Sequence, residues 1–174
     1  MRIVVSGTHA SGKSTLISDF RFAHPGYTVL GDPFDELPDE LDGASPVAFL
    51  GQLRASASRL GECGDADLIA ERGPLDFLAY LIAWEELGRG RIDPVVLERA
   101  TVLAAEAMRT VELIVLLSAT GVFVPSDEDP ELRDAMQEAL FELCDDTDLR
   151  GSTRVEHLRG DQAERLRRFE ALVA

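Results

Sequence analysis

Short apolar runs alternate with longer amphipathic stretches along the whole chain. The runs read as buried strands over residues 3–5, 27–30, 67–70, 113–117 and 153–158, each bounded by Gly, Pro, Ser or Asp. Between them, apolar positions recur at helical spacing over residues 13–22, 46–63, 74–87, 94–109, 130–144 and 162–173. Several helix starts carry their own signals. Asp93-Pro94 and Asp129-Pro130 place an N-cap acceptor before a proline whose missing N–H costs nothing in the first turn, and Asp161-x-x-Glu164 reads as a capping box. Gly88 fits a C-terminal stop. Five strands separated by helices predict an α/β fold, a mostly parallel sheet with helices on both faces. In such sheets ligands sit at the carboxyl ends of the strands.

Directly after the first strand stands Gly7-Thr8-His9-Ala10-Ser11-Gly12-Lys13-Ser14-Thr15, a full GxxxxGK[ST] match between an apolar strand and an amphipathic helix. Gly7 and Gly12 let the backbone wrap a phosphate with its N–H groups, and the positive end of the following helix adds a favourable field. Lys13 offers a compact charge to the β and γ phosphates, and Ser14 a hydroxyl to Mg²⁺. The loop residues Gly7, His9, Ala10, Ser11, Gly12, Lys13, Ser14 and Thr15 are therefore assigned to nucleotide binding, with His9 a solvent-facing filler at a variable position. No NKxD-type guanine contact accompanies the loop. Asp67-Leu68-Ile69-Ala70-Glu71 ends a strand in a carboxylate as motor ATPases do, but Arg72 follows at once, making Glu71-Arg72 a second site of interest.

Composition narrows the partners. The chain has 174 residues, 45% of them hydrophobic, which suits one core and one domain. A net charge of −15 repels a nucleic-acid backbone over most of the surface, so nucleic acid is excluded as a partner. No apolar run is long enough to span a membrane and no cleavage pattern follows the first residues, so a soluble, cytoplasmic protein without a membrane partner is expected. The two cysteines, Cys63 and Cys144, are too far apart in sequence and too isolated from histidine to form a zinc cluster, and read as small buried or half-buried residues. Lys13 is the single lysine among 17 basic residues, which marks it as a place where Arg would not serve.

With GTHASGKST, GDP and AERGPLDFLAY in view, the chain resembles small-molecule P-loop kinases of the deoxynucleoside kinase and ribosylnicotinamide kinase-like branch. The resemblance covers the order of motifs over most of the chain. It implies a three-layer P-loop NTPase fold with a five-stranded, mostly parallel sheet, a single domain over residues 1–174, and a short lid around 119–133. It further implies ATP and Mg²⁺ as cofactors and a small hydroxyl-bearing acceptor.

Residue by residue, the resemblance puts Asp32 at the end of the second strand beside the acceptor, Glu71-Arg72 at the end of the third, and Gln52 and Arg59 on the preceding helix toward the substrate. Lys13, Mg²⁺ and Arg72 would neutralise the transferred group, Asp32 would take the hydroxyl proton, and Glu71 would hold Mg²⁺ through its water shell. Arg133 is the one cation of the lid, whose acidic run Ser126-Asp127-Glu128-Asp129 favours an acceptor without a phosphate of its own. The bland alternatives are an ordinary turn for Asp32, a buried partner of Arg72 for Glu71, and a helix packing contact for Gln52 and Arg59. Phe77, Tyr80 and Trp84 read as core.

Two rival functions stay open: an ATP-binding regulatory module or slow ATPase switch acting on a partner protein, and a nucleoside monophosphate kinase. The segment 94–109 is amphipathic and could serve a homodimer contact or only cover the sheet.

Overall fold

The structure, a computed structural model, describes residues 1–36, 43–64, 66–118 and 129–174. In chain order the elements are β1 (Arg2–Ser6), α1 (Lys13–Ala23), β2 (Thr28–Leu30), a 3₁₀ turn (Pro33–Glu36), α2 (Pro46–Glu62), β3 (Leu68–Glu71), α3 (Pro74–Glu86), α4 (Pro94–Met108), β4 (Leu113–Leu117), α5 (Pro130–Asp145), α6 (Thr147–Arg150), β5 (Arg154–Leu158) and α7 (Gln162–Val173). Every expected strand and helix is present within a residue or so. The short α6 and the 3₁₀ turn are additions, and the sheet is parallel at every pairing among the described strands rather than mostly so.

The strand order β2-β3-β1-β4-β5 places β1 at the centre. Its alternating side chains divide the core in two. Val4, with Leu68, Ala70, Ile114 and Leu116, faces the layer of α2, α3, α4 and α5. Ile3 and Val5, with Ile69, Leu113, Val115 and Leu117, face Leu16, Ile17 and Phe20 of α1 and Phe169 of α7. A strand buried on both faces needs the continuous apolar runs seen in the sequence, whereas the edge strand β5 is half exposed and correspondingly polar. Asp93, Asp129 and Asp161 all accept hydrogen bonds from the first turns of their helices, as their sequence positions imply. Cys63 is half-buried and Cys144 buried, both free. No helix among the described residues is long and apolar enough to cross a membrane.

The chain leaves β1 toward β2 and β3 on one side and reaches β4 and β5 on the other, so the strand order reverses at the carboxyl end of β1. That reversal opens a crevice where loops from both sides diverge. The register brings the neighbouring strand ends to the same level: Leu30 pairs with Ala70, and Val5 with Glu71. Asp32, Glu71, Arg72 and the phosphate loop therefore emerge side by side although they lie far apart in sequence.

Candidate functional site

The loop between β1 and α1 turns back on itself through left-handed backbone at Gly7 (φ 142°), Ala10 (φ 55°) and Gly12 (φ 90°). At Gly7 a side chain is barred twice, by this φ and by the Leu117 carbonyl against which a Cβ would collide. Gly12 is the N-cap of α1 and supplies no side-chain cap, so the first N–H groups of the helix face the loop without a side-chain acceptor. The hydroxyls of Thr8 and Ser11 are buried without a hydrogen-bond partner. Uncapped N–H groups and orphaned hydroxyls around one concavity are what an anion would satisfy, so the loop fits a nucleotide phosphate.

Lys13 is 3% exposed, and its Nζ donates to the Thr8 carbonyl at 2.8 Å. Burial, reinforced by the nearby Arg72 charge, lowers its pKa to about 7. His9, Gly12, Ser14 and Thr15 are exposed, whereas Ser11 is buried. The Ser14 hydroxyl donates to Glu71 Oε1 at 2.8 Å, bringing a hydroxyl and a carboxylate together at the start of α1 and the end of β3. These hard oxygen donors suit Mg²⁺, which takes few protein ligands and shares the rest with phosphates and water. Among the described residues no group of three or more His, Cys, Asp or Glu side chains could hold a metal by itself.

Arg72 sits at φ 63°, a conformation that non-glycine residues rarely adopt. Its backbone N–H still bonds the Val5 carbonyl at 3.0 Å, the last rung between β3 and β1. The twist sends its side chain across the crevice, where Nε donates to Asp32 Oδ2 at 2.7 Å and Nη1 to the Gly7 carbonyl at 3.4 Å. The guanidinium also lies 6.0 Å from the centre of the Tyr80 ring. Burial opposes its charge, but Tyr80, Asp32 and Asp76 outweigh burial and hold its pKa above the ordinary arginine value.

Beside the metal role expected of Glu71, the alternative was a buried pair with Arg72. The structure corrects this: Arg72 pairs with Asp32, and Glu71 turns to Ser14. Neighbouring residues on a strand point to opposite sides, so one pair cannot easily serve both. Asp32 is also more than a bare turn residue, since one oxygen caps the Phe34 N–H and the other holds Arg72.

A tight cleft beside this pair, closed to the point that a water molecule does not fit, is lined by Leu30, Gly31, Pro33, Ser56, Arg59, Leu60, Ala70 and Arg72. Of the two residues expected from α2, Arg59 is in the wall; Gln52, one turn before Ser56, is buried at 3% exposure and is not among the lining residues. Phe77 is core as expected. Tyr80, stacked on Phe49 with ring centres 4.7 Å apart, and Trp84 are half-buried, and Tyr80 also faces Arg72.

Arg133 lies in the first turn of α5 and donates to Asp134 at 3.0 and 3.1 Å. Residues 119–128 of the expected lid lie outside the described residues, Ser126, Asp127 and Glu128 with them.

Two further residues belong to the site. Arg165 of α7 donates to the Ser11 carbonyl at 2.7 Å and to the Ser118 carbonyl at 3.1 Å, tying the phosphate loop to the end of β4. Asp76 of α3 is fully buried and accepts from Ser6 and Gly7. The only sequence signal for Asp76 was an acidic residue in the first turn after Gly73-Pro74; Arg165 had none.

No protein-family model matches the sequence, and no curated protein matches it. Solved structures do. The thymidylate kinase from Candida albicans superposes with a TM-score of 0.67 at 15% identity, over 98% of this chain and 89% of that one. The deoxyadenosine kinase from M. mycoides with bound dATP gives 0.70 at 14% identity over 99% of both chains, and with bound dCTP 0.70 at 13% over 99% and 98%. The chain has the fold of the P-loop nucleoside and nucleotide kinases. Within this kinase fold the loop Gly7–Thr15 and the Asp32–Arg72 pair occupy adjacent strand ends.

Proposed function

We propose that the chain is an ATP-dependent kinase, a single phosphotransferase domain over residues 1–174, that moves the γ-phosphoryl group to a hydroxyl of a nucleoside-like or other small metabolite. The observation that carries this reading is the meeting, at the carboxyl ends of β1, β2 and β3, of a phosphate loop with its buried Lys13, the Ser14–Glu71 contact and the Asp32–Arg72 pair. The fold likeness to kinases supports it.

In this reading the loop N–H groups, Lys13 and the hydroxyls of Thr8 and Ser11 hold the phosphates. Ser14, with Glu71 through water, would hold Mg²⁺, which neutralises charge on the phosphates when bound. Phosphoryl transfer asks mainly for positioning and charge neutralisation, and in this reading Arg72 supplies both. The acceptor oxygen bonds to the γ-phosphorus as the bond to the bridging oxygen breaks; ADP leaves, and the hydroxyl proton passes to Asp32. Arg59 and Ser56 orient the acceptor from the cleft wall, with Gln52 behind them. Arg133 would act as the cation of the lid, which excludes water from the transfer.

The two guanidiniums in the cleft, Arg59 and Arg72, favour a second reading in which the acceptor already carries a phosphate, as a nucleoside monophosphate does. Transfer of label from [γ-³²P]ATP to pooled nucleosides, nucleoside monophosphates and hydroxylated metabolites separates the two. Wild type labels one class, while Lys13→Ala and Asp32→Asn lose the transfer. Transfer that survives Asp32→Asn removes Asp32 from the reaction.

A further inference from the structure

The transfer chemistry leaves one buried carboxylate unused. Asp76 has no exposed surface, and both its oxygens are engaged: Oδ2 accepts from Ser6 Oγ at 2.6 Å and from the Gly73 N–H at 2.8 Å, and Oδ1 accepts from the Gly7 N–H at 3.0 Å. A helix cap requires only the Gly73 bond. The other two reach across to the end of β1, where the phosphate loop begins.

The position of these bonds gives them their meaning. The ladder between β1 and β3 ends with the Arg72 N–H on the Val5 carbonyl. Beyond that rung the two chains part, one through Gly7 at φ 142° and the other through Arg72 at φ 63°. Asp76 is the next link after the ladder stops, bonded to Gly7 on one side and to Gly73, the residue after Arg72, on the other. Burial raises its pKa above the ordinary carboxylate value, and the Arg72 charge and its three donors only partly offset that rise.

We propose that Asp76 is a positioning residue of the transfer site: its carboxylate fixes the spacing between the phosphate loop and the Arg72 turn, so that phosphates held by the loop meet the guanidinium. The inference rests on the kinase reading for the role of Arg72, but its test needs no acceptor. Asn keeps the size of Asp76 but has one acceptor oxygen, so its amide group must confront the N–H of Gly7 or Gly73, donor against donor.

The experiment is a double-mutant cycle read as Mg·ATP affinity for wild type, Asp76→Asn, Arg72→Ala and the double variant, with a thermal melt to confirm folding. Asp76→Asn should weaken binding about tenfold or more, and the double variant should bind no worse than Arg72→Ala alone, since a misplaced guanidinium has already lost its contact. A residue with only a structural role would lower the melting temperature and leave affinity intact. Affinity unchanged in Asp76→Asn, or losses that multiply in the double variant, overturns the proposal. Should Asp76→Asn fail to fold, Ser6→Ala removes one of the three bonds and enters the same cycle, with a smaller loss expected in the same non-additive pattern. A wild type that binds Mg·ATP but labels no acceptor sinks the kinase reading while the cycle still decides Asp76; a wild type that binds no Mg·ATP overturns both.

Discussion

Lys13 combines a depressed pKa of about 7 with a position facing the phosphate loop, and the two together have a measurable consequence. Burial removes water from the ammonium, and the neighbouring Arg72 charge opposes it further. Polyphosphate in the loop would reverse both effects by placing negative charge against Nζ. Because the folded pKa lies below the unfolded value of 10.5, the nucleotide-free chain binds fewer protons than the unfolded chain between those pH values, and its stability rises with pH across that window. Nucleotide binding should therefore take up close to one proton at about pH 8 and almost none at about pH 6. Titration calorimetry in buffers of different ionisation enthalpy reads this directly; equal uptake at the two pH values would contradict the assignment of Lys13. At this scale the turns of the loop were legible because they are local, with left-handed backbone at Gly7 and Gly12 and the Lys13 Nζ bonded to the Thr8 carbonyl five positions back. The sequence was silent on Asp76 and Arg165, whose partners lie 69 and 154 positions away and are supplied by the fold alone. The pairing of Arg72 with Asp32 rather than Glu71 was hidden for the same reason: adjacency along the chain does not tell which way a side chain leaves a strand.

Among the elements, α5 shows how a cap and an ion pair divide one residue's work. Asp129 accepts from the N–H groups of Glu131 and Leu132 at 3.1 Å and pairs with Arg89, whose guanidinium lies 5.8 Å from the Trp84 ring. The hydrogen bond from Arg89 is the main cause that lowers its pKa to about 2, so this contribution is present above the ordinary value of 3.8 and is lost as pH falls toward 2. Asp129→Ala should destabilise the protein by about 1 kcal/mol through the lost cap. Asp129→Asn keeps an N-cap acceptor and gives up a partly exposed ion pair, and should stay within about 0.5 kcal/mol of wild type in urea denaturation. Equal losses in the two variants would assign the effect to the ion pair. The long helices were legible because each carries a cap or proline at its start and an apolar face, and β1, β3 and β4 because burial on both sides requires unbroken apolar runs. The four-residue α6 and the turn at Pro33–Glu36 are too short to show any period, and they escaped notice.

For the whole molecule, strand order does what no single motif can. The sequence supplied the strands, but only the arrangement β2-β3-β1-β4-β5 brings the ends of β2 and β3 beside the phosphate loop and turns three separate stretches into one site. The net charge is −15, yet the crevice brings Lys13, Arg59, Arg72 and Arg165 together around the loop and cleft. Asp32, Glu71 and Asp76 stand among these cations, so charge is paired within the crevice rather than of one sign. The most direct test of the account follows the γ-phosphorus of ATP. Wild-type protein, Mg²⁺ and [γ-³²P]ATP are incubated with a pooled set of hydroxylated small molecules, and the labelled products are separated. Label in an organic phosphate ester, formed at the rate ADP appears, is the predicted result. Label released only as inorganic phosphate, whatever the acceptor offered, would contradict it and make the protein a nucleotide hydrolase.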